Sequence, residues 1–193
     1  MGALTIVKLG GSHAFAPQLR AWLDAIASHA GSIVLVPGGG PFADAVRDAQ
    51  PRIGFDDDAA HRMALLAMEQ FGCALASLDA RLALANSLAE IDNAIAKRRV
   101  PVWLPTHMAL TAQDIPWSWD VTSDSLAAWL AGALGASRIV LVKHAASALR
   151  APELAARGIV DPAFPGFLAR SGVPLVVLGA DDYARLARAE EPV

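Results

Sequence analysis

The sequence contains a single cysteine, Cys73, among 193 residues. This excludes an intramolecular disulfide framework and any metal site built from several cysteines. No uninterrupted apolar run reaches the roughly 18 residues that a membrane helix needs. The start of the chain has no basic segment followed by a long apolar core, so we expect no signal peptide. These absences predict a soluble, cytoplasmic protein with no membrane partner.

The chain also lacks a large excess of either sign of charge, since the net charge is −3, and it contains no block of basic residues. This argues against nucleic acid as a partner. Apolar residues are abundant at 54%, mostly alanine and leucine in helical patterns. So much apolar surface in a chain of one domain suggests a buried subunit interface. We expect a homo-oligomer that associates through the helices of residues 56–98.

Short apolar strands alternate with amphipathic helices along the whole chain. The predicted strands are residues 4–9, 33–36, 100–104, 138–142 and 174–178. The predicted helices are residues 17–30, 41–49, 56–71, 87–98 and 123–134, a short one near 163–170, and one from 181. Since each strand is apolar on both faces, the pattern predicts an α/β fold. We expect a three-layer sandwich with a mostly parallel central sheet.

Two glycine clusters follow the first two predicted strands: Gly10 and Gly11 before Ser12, and Gly38, Gly39 and Gly40. In an open parallel sheet, ligands bind beyond the carboxyl ends of the strands. Glycine lets the backbone approach a ligand closely, and free N–H groups there hold anions. With the positive charge of Lys8, the two loops form a plausible phosphate cradle. Either cluster alone fits an ordinary strand-to-helix turn equally well, and neither matches a P-loop or a dinucleotide-binding turn.

The stretch "DVTSDSLAAWLAGAL" opens the helix predicted from residue 123. Thr122 or Ser123 can cap that helix, which puts Asp124 in its first turn. An acidic residue there can simply favour the positive end of the helix dipole. Alternatively, Asp124 points back toward Lys8 and fixes its ammonium group for phosphoryl transfer.

Three motifs together, "KLGGS", "VPGGG" and "TSDS", resemble the amino acid kinase family, whose members transfer the γ-phosphoryl group of ATP. The stretches "VPGGGPFADAVR", "SWDVTSDSLAAWLA" and "VDPAFPGFL" are similar to its branch of furanylmethyl phosphate kinases in methanofuran biosynthesis. The resemblance implies that Lys8 contacts the transferring phosphoryl group and that Asp124 organises Lys8. It further implies two sets of ligand-binding residues. Gly10, Gly11 and Ser12 hold phosphate oxygens, while Gly38, Gly39, Gly40 and Ser123 lie against the acceptor.

The sequence departs from the family where a turn of the form T-D-V-D-G normally holds the nucleotide. Here "KHAASALR" follows the strand, with His144, Ala146 and Ser147 at the matching places. Lys143 is new there and either binds a phosphate or is an ordinary lysine at a strand end. Only about fifty residues follow it. We therefore expect one amino acid kinase-like domain with an acceptor-binding lobe (residues 1–120) and a shortened nucleotide-binding lobe (residues 121–193).

Two functional hypotheses remain open. In the first, the chain is a kinase that uses ATP, with Mg²⁺ carried by the nucleotide, to phosphorylate a small phosphorylated metabolite. The resemblance indicates a furan phosphate as this acceptor. In the second, it is a non-catalytic relative that binds such a metabolite or serves as a partner subunit of another enzyme. The presence of Lys8 and Asp124 favours the kinase, and the altered turn favours the alternative; we expect the kinase.

Four further side chains carry weaker expectations. His13 either donates a hydrogen bond to a phosphate or is simply exposed. His61 is expected to be a surface or partner-facing residue rather than a ligand. Trp117 and Trp119 either form a wall for an aromatic substrate or belong to the core or an interface.

Overall fold

The computed structural model describes residues 3–188. Its strands are β1 (Leu4–Leu9), β2 (Ser32–Pro37), β3 (Leu82–Ala85), β4 (Val100–Trp103), β5 (Arg138–Val142) and β6 (Leu175–Leu178). Its helices are α1 (Leu19–Ala27), α2 (Gly40–Ile53), α3 (Asp57–Leu78), α4 (Leu88–Ala96), α5 (Thr106–Thr111), α6 (Ser123–Ala133), α7 (Ala151–Ala156) and α8 (Phe164–Ser171). Within the described residues, no helix is both long and apolar enough to cross a lipid bilayer.

The six strands form one sheet in the order β3-β4-β2-β1-β5-β6, and every neighbouring pair is parallel. β1 lies near the centre, between β2 and β5. Parallel strands need crossover helices, which cover both faces of the sheet and keep it dry. The predicted α/β sandwich is confirmed, and its sheet is parallel throughout. Residues of both predicted lobes share this sheet, because β5 pairs directly with β1.

Strand alternation explains how a lysine can lie in a buried strand. Along β1, Val7 and Leu9 belong to the apolar cluster that contains Trp22 of α1. Ile6 belongs to the opposite cluster, which contains much of α6. Lys8 is two residues after Ile6, so its side chain points to the same face. That face is the one on which α6 begins.

Helix α6 is the most enclosed helix of the fold. It packs between the sheet and α8, and its buried residues occur on nearly all sides. They are Ser123, Asp124, Ser125, Leu126, Ala127, Ala128, Leu130 and Ala131. The predicted amphipathic helix would bury only one face, whereas α6 is buried on nearly all sides. Runs of alanine and serine let this helix fit closely against two layers at once.

Several elements differ from the sequence predictions. Strand β3 and the short helices α5 and α7 were not predicted, and they lie in stretches for which the sequence predicted neither a helix nor a strand. Helices α2 and α3 extend beyond their predicted ends, and α2 continues through Pro51. The closing helix is a 3-10 helix over Asp182–Arg188.

Candidate active site

The two glycine loops touch each other at the carboxyl ends of β1 and β2. A Cβ atom on Gly11 would lie 2.1 Å from the backbone nitrogen of Gly40, and one on Gly38 would lie 2.3 Å from the nitrogen of Gly11. The N–H of Gly38 donates to the carbonyl of Leu9 at 2.9 Å. Gly40 also has a φ of +57°, in the left-handed region that disfavours other residues. Glycine is therefore required here so that two backbone segments can meet.

A buried carboxylate joins two lysines beside these loops. Asp124 Oδ1 lies 2.9 Å from Lys8 Nζ, and Asp124 Oδ2 accepts a hydrogen bond from Lys143 Nζ at 2.7 Å. The side chains of Asp124 and Lys8 are 5% and 6% exposed, and that of Lys143 is 16% exposed. Lys8 lies near the end of β1, and Lys143 directly follows β5. The three residues thus form one ion cluster, which we call the Lys–Asp–Lys cluster.

Opposing effects set the protonation states in this cluster. Burial raises the pKa of Asp124, but the charges of Lys8 and Lys143 outweigh burial, so the pKa is lowered and the carboxylate is ionised. Burial lowers the pKa of Lys143, and the positive charge of Lys8 lowers it further. Asp124 and the nearby Asp161 act in the opposite direction on Lys143. Two cations in one buried site therefore depend on neighbouring carboxylates to stay charged.

The first turn of α6 is fixed by a distant carboxylate rather than by its own residues. Asp161 Oδ2 accepts hydrogen bonds from Thr122 N at 3.1 Å, Thr122 Oγ1 at 2.8 Å and Ser125 N at 3.0 Å. Asp161 Oδ1 accepts a further bond from Ser125 Oγ. The Thr122 side chain does not cap the helix, contrary to the sequence expectation. Asp161, which lies just before α8, caps the helix instead.

A cleft of about 320 Å³ opens in front of the cluster and the glycine loops. Its cationic and loop residues are Lys8, Gly10, Gly11, Ser12, Gly39, Gly40 and Lys143. Its apolar lining residues are Ala43, Ala64, Leu65, Met68, Val121 and Leu126. Its other polar or aromatic lining residues are Asp44, Arg47, His61, Trp119, Thr122 and Ser123. The cleft therefore combines two lysines and two glycine loops with apolar and polar side chains.

Trp119 lines this cleft and is held in place by two contacts with α2. Its indole Nε1 donates to Gln50 Oε1 at 2.7 Å, and the guanidinium of Arg47 lies 4.6 Å from the centre of its ring. Next to it, Trp117 stacks on His61 with ring centres 6.0 Å apart and planes 9° from parallel. The segment before α6 thus folds back over α2 and α3 through its two tryptophans. The expectation that His61 is a surface residue is wrong, because it is 4% exposed.

Most of the residues predicted for the site lie around this one cleft. Asp124 is behind its wall, in contact with Lys8 and Lys143. Gly38 does not line the cleft and instead packs behind Gly11. His13 is 1% exposed, so the alternative that it is simply exposed is wrong. Burial lowers its pKa, and its ring stacks on that of His144 at 5.7 Å.

Sequence reasoning missed three residues that contribute to the site. Asp44 and Arg47 lie within the quoted motif "VPGGGPFADAVR", one and two turns after the glycine loop. Their spacing of four and seven residues from Gly40 could have placed them on the cleft side of α2. Asp161 lies 36 residues from its partner Ser125, and no local pattern signals that contact. Among residues 3–188, no group of three or more His, Cys, Asp or Glu side chains could hold a metal ion.

Comparison with known proteins identifies the family. Residues 3–147 match the model of the amino acid kinase family. The chain belongs to the amino acid kinase family. The resemblance noted from the three motifs is therefore confirmed, and the protein is assigned to a family of phosphotransferases.

Individual relatives agree with this assignment. The chain is 27% identical over 188 residues to the [5-(aminomethyl)furan-3-yl]methyl phosphate kinase of Methanocaldococcus jannaschii, covering 96% of this chain and 79% of that protein. Its fold matches the uridylate kinase of Archaeoglobus fulgidus with a TM-score of 0.72, 17% identity and coverage of 98% and 97% of the two chains. The UMP kinase of Ureaplasma parvum matches with a TM-score of 0.71, 16% identity and coverage of 99% and 97%. At these identities the two structures support the fold alone.

Proposed function

We propose that this protein is an active kinase that transfers the γ-phosphoryl group of ATP to a phosphorylated furan, in the biosynthesis of a methanofuran-type one-carbon cofactor. The observation that carries the proposal is the Lys–Asp–Lys cluster beside two interlocked glycine loops. Phosphoryl transfer needs positioning and charge neutralisation more than any other chemistry. A buried pair of lysines next to the backbone N–H groups of two glycine loops supplies both. The M. jannaschii relative, named for a furan phosphate, suggests the acceptor.

In this mechanism, an oxygen of the acceptor phosphate attacks the γ-phosphorus of ATP. The bond between that phosphorus and the oxygen bridging to the β-phosphate breaks, and ADP leaves. An ionised phosphate is already a nucleophile, so no side chain has to remove a proton. Lys8 stabilises the charge on the transferring group, and Asp124 keeps Lys8 and Lys143 at a fixed separation. The N–H groups of the first glycine loop bind phosphate oxygens.

The nucleotide is assigned to the lobe of residues 121–193, with its phosphates held by Lys143 and by the first glycine loop with Ser12. The acceptor is assigned to the lobe of residues 1–120 and to Ser123. The altered turn after β5 offers no carboxylates, and Lys143 offers a cation in their place. Magnesium would enter with the nucleotide, held by its phosphates rather than by this chain's side chains, and would supply further charge neutralisation. The two lysines of the cluster, the hydroxyl of Ser12 and the glycine N–H groups suit a triphosphate because each of them can donate a hydrogen bond to a phosphate oxygen.

The acceptor proposed here has a phosphate, an aromatic ring and an aminomethyl group, and the cleft has a counterpart for each. Gly39, Gly40 and Lys8 are donors for the phosphate. Trp119 and the apolar lining residues offer contacts to the furan ring. Asp44 lies four residues beyond Gly40 on α2, about 6 Å along the helix axis, and supplies a carboxylate for the ammonium group.

The deciding experiment is a nucleotide-consumption assay with ATP-Mg and [5-(aminomethyl)furan-3-yl]methyl phosphate. We expect ADP and the furan diphosphate from the wild type, and a loss of activity in Lys8→Ala of at least 100-fold, as expected when a charge contact made in the transition state is removed. Equal rates in the wild type and Lys8→Ala would refute the role of Lys8. A thermal melt of both proteins controls for folding.

The altered turn favours a second candidate, a non-catalytic relative that binds a phosphorylated metabolite or serves as a partner subunit. Its residues 144–147 lack both aspartates of the family pattern. A calorimetric titration with ATP-Mg separates the two functions. The kinase requires binding at or below millimolar nucleotide, whereas the alternative binds the furan phosphate without nucleotide.

We also propose a homo-oligomer. Ile53, Met63 and Leu66 are exposed apolar side chains at the end of α2 and on the outer face of α3, at 75%, 37% and 47% exposure. They lie within or next to the helices expected to form an interface. Light scattering of the wild type and a Leu66→Glu variant tests this, because a monomeric wild type would refute it.

A further inference from the structure

Asp161 is a buried carboxylate that lies outside the cleft and is assigned no part in the mechanism above. It is 7% exposed and comes from the loop before α8. It accepts four hydrogen bonds, two from Thr122 and two from Ser125, at distances of 2.8–3.1 Å for three of them. A buried carboxylate with four donors is fully satisfied. Its geometry is therefore fixed.

These donors bracket Asp124 on both sides in sequence. Thr122 precedes the first turn of α6, and Ser125 follows Asp124 directly. The N–H of Ser125 is one of the helix N-terminal donors that lack a partner within the helix, and Asp161 accepts its hydrogen bond. The negative charge of Asp161 also favours the positive end of the helix dipole. The backbone carrying Asp124 therefore cannot rotate without breaking bonds to Asp161.

Asp161 also balances charge in the Lys–Asp–Lys cluster. That cluster has two cations and one anion, and Asp161 is the second anion acting on Lys143. The charged groups acting on Lys143 are Lys8, Asp124 and Asp161. This effect on Lys143 does not come from a hydrogen bond, because the donors to the Asp161 carboxylate are on Thr122 and Ser125.

We propose that Asp161 is a positioning residue for phosphoryl transfer, which fixes the turn that carries Asp124 and thereby the two lysines that Asp124 holds. The inference rests on the proposed function of the cluster. Asp161 touches no substrate in this proposal and acts through its hydrogen bonds to the start of α6 and through its charge on Lys143. A misplacement of about 1 Å at the reacting groups can cost about 100-fold in rate.

The test uses two substitutions that separate hydrogen bonding from charge. Asp161→Ala removes every acceptor, and we expect kcat to fall about 100-fold with a much smaller change in the KM of the acceptor. Asp161→Asn keeps one oxygen for the three donors at Oδ2, and its amide can donate to Ser125 Oγ. Since it loses only the charge, we expect its kcat to fall less. It also loses a charge that raises the pKa of Lys143, so the alkaline limb of its kcat profile should move to lower pH.

Asp56 provides the matched control, because its carboxylate caps α3 through Ala59 N at 2.8 Å, away from the cleft. Asp56→Ala should lower thermal stability without a comparable fall in kcat, and Asp56→Asn should leave the pH profile unmoved. If Asp56→Ala lowers kcat as much as Asp161→Ala does, the effect is general destabilisation and the proposal is overturned. It is also overturned if Asp161→Asn leaves the alkaline limb in place.

A readout without substrates separates this proposal from the proposed function. The rate at which acetic anhydride acetylates Lys143, followed by peptide mass spectrometry across pH, measures how much of its amine is neutral. We expect the rise in Lys143 reactivity to begin at lower pH in Asp161→Asn than in the wild type. This result would support the structural coupling even if the wild type showed no kinase activity. An unchanged reactivity profile would refute the coupling even in an active kinase.

Discussion

Asp124→Asn is the most informative single substitution for the stability of this fold. It removes the only carboxylate in direct contact with Lys8 and Lys143 among the described contacts, and leaves two cations side by side. Breaking a buried ion pair costs about 3–5 kcal/mol, because an uncompensated charge stays behind. Lys143 keeps 16% of its side chain exposed, so water offsets part of this cost. We therefore expect the lower half of that range, about 3–4 kcal/mol.

That loss is a large share of the roughly 5–15 kcal/mol that stabilises a typical domain. For a domain of 150–250 residues, 1 kcal/mol shifts the melting temperature by about 2–4 °C, so Asp124→Asn should melt about 6–16 °C lower. Circular dichroism at pH 7 measures this. The double variant with Lys143→Met should recover part of the loss, because only one buried cation then remains.

The control is Asp44→Asn, which breaks an exposed pair with Arg47. Those side chains are 71% and 49% exposed, and such pairs contribute about 0–1 kcal/mol. If Asp124→Asn melts no lower than Asp44→Asn, the cluster does not stabilise the fold and our reasoning is wrong. Acid supplies a second check. Because the pKa of Asp124 is lowered by folding, its ionised form stabilises the fold fully above about pH 3.8, the unfolded-state value, and this stabilisation is lost as the pH falls through the lower folded-state value. The melting temperatures of Asp124→Asn and the wild type should therefore converge at acid pH.

Three further predictions concern backbone packing, pH dependence and specificity. Gly11→Ala should lower the free energy of unfolding, measured by urea denaturation, by at least about 1–3 kcal/mol, because the new Cβ would lie 2.1 Å from a backbone nitrogen. Gly166→Ala is the control and should be tolerated, because its Cβ would meet only a side-chain atom at 3.5 Å. Burial lowers the pKa of both His13 and His61, so stability should fall as the pH drops below 6.5, and a variant with glutamine at both positions should show a smaller fall in melting temperature between pH 8 and 5. A slope equal to that of the wild type would contradict this. Asp44→Asn should raise the KM for the aminated furan phosphate about 10–100-fold, because it removes one charge-assisted hydrogen bond to the ammonium group. The KM for an acceptor without the amine should stay unchanged.

Much of the fold was predictable because strand and helix periodicities differ and each strand is apolar on both faces. Strand β1, Leu4–Leu9, and strand β5, Arg138–Val142, have the predicted bounds. Strand β3 was missed because "LALA" favours a helix as much as a strand. It is an edge strand whose backbone pairs only with β4 in the sheet. Its conformation is thus imposed by tertiary pairing rather than by its own residues.

The site divides in the same way between what local sequence determines and what only folding brings together. Lys8 and the glycine loops were predictable, because a parallel sheet gathers the ends of its strands at one edge. The sequence could place Asp124 at the start of α6, but it could not show whether Asp124 merely favours the helix dipole or contacts Lys8. The distance of 2.9 Å between Asp124 Oδ1 and Lys8 Nζ shows that the two residues are in contact. Asp161 was beyond prediction, since its bonds to α6 depend on α8 packing against that helix. Asp161 lies in the stretch "VDPAFPGFL", which resembles the furanylmethyl phosphate kinases, yet its hydrogen bonds reach back 36 residues to the first turn of α6. The Asp161 variants therefore test a contact that the local sequence does not show.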